Sequence, residues 1–276
     1  MTLFDAEKDK GQSYKEAIKL PLAAILISPK FLYRYESAPS LKREFKLDDF
    51  QLANRLSYFL WMSMPDDELF SLAKSGRLSQ SVTLKAQIQR MIQSPKLKAF
   101  TKTFGEQWLG YHELGKSKVP DEMTFPKFTE DLRKDMFIET EMFIHDLIGQ
   151  NGNMLNILDS DYSYINERLA KHYNIKGIKG TEFRKVTLKN KNRGGVLGMG
   201  SILATTSQPV RTSPVDRGIW VLETLMGKHL PEPPANVPPL PESAGGEKAE
   251  LTLRQSLEEH RNNQHCRSCH DKIDPI

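Results

Sequence analysis

Apolar side chains recur at three- and four-residue spacing through the first 150 positions, and proline, glycine and Asn-Gly cut the runs short. That period gives each run one apolar face, so the chain has to bury a set of short amphipathic helices against one another. Ser13 to Ile27 carries Ala17, Ile18, Leu22, Ile25 and Leu26 at this spacing, with Pro21 placed to bend or divide it. Ser28-Pro29 restarts a turn through Phe31, Leu32 and Tyr33. Asp48 or Asp49 is suited to cap a helix from Phe50 to Met62. Pro65-Asp66-Asp67-Glu68 opens another, with acids in its first turn and Gly76 at its end. Ser79 begins a stretch through Leu84, Ile88, Met91 and Ile92, and after Ser94-Pro95 a further helix runs to Trp108. Pro120 to Pro126 reads as a loop, Glu130 to Ile148 as a long helix and Asn166 to Tyr173 as a short one.

Strand signals are sparse. Asp159 to Tyr164 reads as a linker, and a short β pair near Phe183 to Leu188 is the one candidate. Beyond Arg193-Gly194-Gly195 the character changes. Two short helices are expected, from about Gly195 to Ala204 and from Pro214 to Leu225, around a hydroxyl-rich structured loop. Residues 230–241 are proline-rich and predict a polyproline II arm, and Leu251 to Arg261 predicts a helix. The expected fold is mainly α. It has a helical lead-in over 1–36, a multi-helix domain over 37–190, and a small terminal domain over 191–276 reached through the proline-rich arm.

The only two cysteines stand in Cys266-Arg267-Ser268-Cys269-His270. This CxxCH spacing suits covalent attachment of a c-type haem. Both thiols reach the vinyl groups of one porphyrin edge, and the following imidazole falls under the iron as proximal ligand. Half of a zinc site, with His260 or His265 contributing, and a redox dithiol are the competing readings. Zinc needs four ligands and the chain has no further cysteine, and the flanks lack a βαβ pattern. Candidates for a sixth iron ligand are His260, Met199 and Met226. A methionine would raise the potential and a histidine would lower it. Arg193, Arg211 and Arg217, in or beside the hydroxyl-rich loop, suit carboxylates or haem propionates through a bidentate fork. Internal ion pairs are the competing account of all three.

Other chemistry finds little footing. The acids at 66–68 follow one another at a helix start, where they complement the dipole, and their side chains diverge, unlike a glycosidase pair. Asp159 and Asp161 lack the rest of a calcium loop, and no Walker loop, HExxH or GxSxG string occurs. A net charge of +4 is scattered among acids, which argues against a nucleic-acid-binding stripe. No apolar run approaches a membrane span.

Several strings resemble one family in order along nearly the whole chain. Ile27-Ser28-Pro29-Lys30-Phe31-Leu32-Tyr33-Arg34-Tyr35-Glu36 and Leu56 to Asp66 are similar to its "SPxFLYRxE" and "LSYFLWxSxPD" strings. Asp161 to Ala170 with His172-Tyr173, Arg193 to Leu197, Arg211 to Val215 with Arg217-Gly218, and Pro233 to Pro238 fit as well, as does the stretch from His260 to Pro275. These resemble the planctomycete-type cytochrome c proteins, exported bacterial chains with paired domains of unknown function and a terminal haem string. The resemblance implies covalent haem c and a periplasmic or extracytoplasmic site, although no export signal opens this sequence. It also implies that the chain is an internal fragment. Electron transfer to a redox partner or a further domain is the leading expectation. A cell-surface module binding a polymer or protein, and a haem oxidoreductase, are the alternatives.

Overall fold

The computed structural model describes residues 2–33, 36, 45–189, 193–231, 255, 258 and 264–274, the last stretch without the side chains of 264–266, 268 and 269. The fold is mainly α, and the chain forms two compact units, 1–100 and 101–276.

The first unit begins with α1 (Leu3–Asp9), α2 (Tyr14–Ala17), α3 (Lys19–Leu26) and α4 (Pro29–Leu32). The break foreseen at Pro21 falls at Ile18 instead, because proline is tolerated in the first turn of α3. α5 (Asp49–Leu60) starts on a capping box, in which Asp48 accepts from the Gln51 amide and Gln51 answers to the Asp48 amide. α6 (Asp67–Lys74) is capped by Asp66, which also takes a two-pronged bond from Arg90 on α7 (Ser81–Ile92). Gly76, at φ +65°, ends α6 as its sequence position suggested. Trp61 locks this group by donating from Nε1 to the Met91 carbonyl at 3.0 Å, inside a core of Ala53, Leu60, Leu69, Leu78 and Met91.

α8 (Leu97–Leu109) gives the second unit its residues from Thr101 onward. The organising element there is α9 (Glu130–Gly149), whose apolar face meets two clusters in succession along its length. One holds Leu109, Tyr111, Phe143, Ile144, Leu147 and Met199, among others; the second holds Leu132, Met136, Ile165, Leu169, Ala170 and Tyr173. α9 also carries Asp135, Glu139 and Thr140 inward.

The segment read as a linker is a strand. β1 (Tyr162–Ile165) pairs antiparallel with β2 (Arg184–Thr187), with Tyr162 opposite Thr187 and Ile165 opposite Arg184. Four residues show too few alternations for the period to register, and the partner lies beyond α10 (Glu167–His172). The helix foreseen over 195–204 is divided into a 3₁₀ turn at 196–198 and α11 (Gly200–Thr205). Gly195, at φ +63°, makes this possible: a Cβ there would stand 2.4 Å from the Ile157 carbonyl oxygen.

β3 (Ser207–Gln208) and β4 (Arg211–Thr212) then form a minimal hairpin. α12 (Pro214–Trp220) follows, with Ser213 as cap and proline in its first turn, and it runs on as a π turn at 221–225. Two indoles clasp this region to the end of α8: Trp108 donates to the Thr224 carbonyl and Trp220 to the Leu109 carbonyl, each at 3.0 Å. α13 (Gln264–Ile273) packs on α12. The proline-rich arm from 232 onward and the helix foreseen to lead into α13 lie outside the described residues, apart from Gln255 and Glu258.

Candidate functional site

The whole Cys266 to His270 string lies on α13. Positions i, i+3 and i+4 of a helix share a face, so this backbone sets both cysteines and the histidine along one side. His270 is buried, and its Nδ1 lies 3.0 Å from Oδ1 of Asp274. A carboxylate beside Nδ1 holds the ring's orientation from that side. Sequence reading named His270 but gave Asp274 no role; the four-residue offset was the available signal. α13 is seated through Ile273, whose Cγ2 would lie only 2.6 Å from a Cβ at Gly218 of α12.

The candidate sixth ligands are dispersed. Met199 is buried in the core, where its Sδ accepts from Thr140 Oγ1 at 3.5 Å. Met226 is about half exposed just after the π turn. His260 lies outside the described residues. Among the described residues no group of three or more His, Cys, Asp or Glu is gathered for a metal.

Two of the three arginines meet. Arg193 and Arg211 both line a cavity of about 540 Å³, and Arg217 is not among its lining residues. The Arg193 guanidinium lies 3.9 Å from the centroid of the Tyr173 ring and donates to the Gly198 carbonyl at 3.0 Å. Arg217 instead has a buried Nε with no hydrogen-bond partner among the described residues, and burial lowers its pKa. Lys118 and Lys127 join the lining from the loop ahead of α9, together with Phe125 and Phe128. His172 also faces the cavity. Burial holds its pKa down, and the charges of Arg193 and Lys127 press in the same direction.

Beneath the Tyr173 ring lies a buried polar chain that the sequence did not announce. The Gly200 amide donates to Tyr173 Oη at 2.8 Å, Tyr173 donates to Glu139 Oε2 at 2.6 Å, and Ser163 donates to Glu139 Oε1 at 2.6 Å. Burial nevertheless pushes the Glu139 carboxyl up to about 7, against the two hydrogen bonds and the charge of Arg193. A Cβ at position 200 would stand 2.8 Å from Tyr173 Oη, so glycine is what lets the hydroxyl approach that amide. Among the described residues none of the cavity's lining residues lies on α13.

Three family models match the chain in succession. They are PSD5, protein of unknown function DUF1595, over 1–36; PSD4, protein of unknown function DUF1592, over 47–175; and PSCyt3, protein of unknown function DUF1588, over 193–276. None of the curated proteins and none of the solved structures matches it. Among the described residues no helix is long and apolar enough to cross a membrane.

Proposed function

The chain belongs to the planctomycete-type cytochrome c protein family, and from that premise we propose that its last domain holds a covalent c-type haem and passes single electrons outside the cytoplasm. Cys266 and Cys269 would hold the porphyrin edge, each thiol adding across one vinyl group, and His270 Nε2 would ligate the iron. The observation that supports this reading best is the 3.0 Å contact between His270 Nδ1 and Asp274, because it sets the imidazole's orientation from the side away from the metal. When bound, the haem supplies a one-electron iron couple.

The chain's own part is to seat α13 on α12 through Ile273 and to hold the His270 ring in place through Asp274. Met199 is engaged in the core, so the reading favours Met226, His260 or an empty place at the sixth position. A partner protein, or a further domain of a longer polypeptide, would receive the electron.

Expression beside a cytochrome c maturation system tests this directly. Haem stain should co-migrate with the chain on a denaturing gel, and Cys266→Ala with Cys269→Ala should abolish it. An unstained wild-type band from cells that mature a control cytochrome overturns the reading.

A further inference from the structure

The cavity beside Tyr173 is the strongest feature that the haem reading leaves unused. Cavities of about 300–1,000 Å³ with apolar walls and a few placed polar groups are the usual form of small-molecule sites. This one has that size, at about 540 Å³. Its charge is one-sided among the described residues: Lys118, Lys127, Arg193 and Arg211 line it, and no described Asp or Glu does. Among the described residues none of the four is in an ion pair; Arg193 donates to the Gly198 carbonyl and Arg211 to the Thr212 carbonyl. The only described acid coupled electrostatically to Arg193 is Glu139, whose charge burial suppresses, so the four cations repel one another and an anion placed among them relieves that cost. The lowered pKa of His172, which Arg193 and Lys127 help to cause, is a second sign of that positive field.

The walls set the rest of the ligand. Phe125, Phe128, Leu203 and the Tyr173 ring offer flat and branched apolar surface, unsuited to a bare inorganic anion. The floor is rigid, because Tyr173 is held between the Gly200 amide and Glu139.

We propose that this cavity binds a free organic acid with an aromatic body, its carboxylate taken by Arg193 and Arg211 and its ring by the apolar wall. The site is argued without the haem reading, since no described residue of α13 lines it.

Calorimetric titration of the full chain with 2-naphthoate, 2-naphthamide and acetate tests the assignment. The acid binds saturably at one site. The neutral amide, of nearly the same shape, binds about tenfold or more weakly, because it forgoes the charge-assisted fork. Acetate, lacking the ring, gives no saturable binding. Arg211→Gln, at a partly exposed hairpin position, weakens the acid toward the amide and leaves the amide unchanged. The haem-loaded chain and the Cys266→Ala/Cys269→Ala chain bind the acid alike. The proposal fails if the acid shows no saturable binding at millimolar concentration, if acid and amide bind equally, or if Arg211→Gln leaves the acid's affinity unaltered. It fails too if haem loading excludes the acid, for then the cofactor's own propionates occupy the place.

Discussion

The two sites of the second unit are built in opposite ways. The CxxCH string puts both cysteines and the histidine within Cys266 to His270, and the fold need only supply a surface on which α13 can rest. The cavity draws its walls from positions as far apart as Lys118 and Thr212, so α9, α10, α11 and the β3–β4 hairpin must all be in place before it exists. A local site survives loosening of the body that carries it, whereas an assembled site does not. Substitutions that disturb one site and spare the other are the means to test this contrast.

The largest separation should come from pH. Glu139 lies under the cavity floor with its carboxyl pushed up to about 7 by burial, against an ordinary value of 4.5. The folded chain therefore keeps a proton that the unfolded chain releases. The resulting stability is full below about pH 4.5 and is lost as pH rises through about 7. The difference is worth about 3 kcal/mol as an upper bound. Urea unfolding of the second unit at about pH 5 and about pH 8 should show this loss in the wild type, while Glu139→Gln, neutral throughout, should lose that fall and keep only the opposing rise from His172, whose lowered pKa favours the folded chain as pH increases. The haem stain should be the same in both. A wild-type unit equally stable at the two pH values removes Glu139 from this role.

A pair of glycines gives the next test. At Gly218 an added methyl would meet Ile273 Cγ2 at 2.6 Å and the Ile273 carbonyl oxygen at 2.9 Å. At Gly200 it would meet Met136 Cε at 2.7 Å and Tyr173 Oη at 2.8 Å. Overpacking of this kind costs about 1–3 kcal/mol. Gly218→Ala should lower the melting temperature while leaving 2-naphthoate binding unchanged, because it pushes α13 off α12. Gly200→Ala should lower it by a similar amount and weaken 2-naphthoate, because it displaces the tyrosine of the floor. The same response from both variants would mean that the two sites share one support.

This contrast also explains what could be read in advance. Asp48 with Gln51, Asp66 at the start of α6, Gly76 at its end and Pro214 opening α12 are local signals, and each one marks an element that forms. The CxxCH spacing is local in the same sense. β1 was missed because its evidence is the partner strand, some twenty residues further on. Arg193 and Arg211 could be suspected from residue type, yet the lysines that join them and the buried Glu139–Tyr173–Gly200 chain come from separate stretches of sequence. Glu139 is seven residues after Leu132 and four before Phe143, which puts it on the apolar stripe of α9, but its partners Ser163 and Tyr173 come from other stretches of sequence.

The smallest effect belongs to a position that touches neither site. Tyr111 is fully buried, and its hydroxyl has no hydrogen-bond partner among the described residues. Burial raises its pKa, as do the charges of Glu106 and Glu141, so it stays neutral. An unpaired buried hydroxyl costs about 1–3 kcal/mol, part of which returns when the group is deleted without leaving a hole. Tyr111→Phe keeps the edge-on ring contact with Phe137, at 5.3 Å between centroids, and removes only the oxygen. Chemical denaturation should show stability unchanged or raised by up to about 1 kcal/mol, with haem stain and 2-naphthoate affinity both intact. A loss instead of a gain would show that the hydroxyl is paired in solution. It would also mean that the core around Leu109 and Phe143 is coupled to polar groups more tightly than its apolar composition implies.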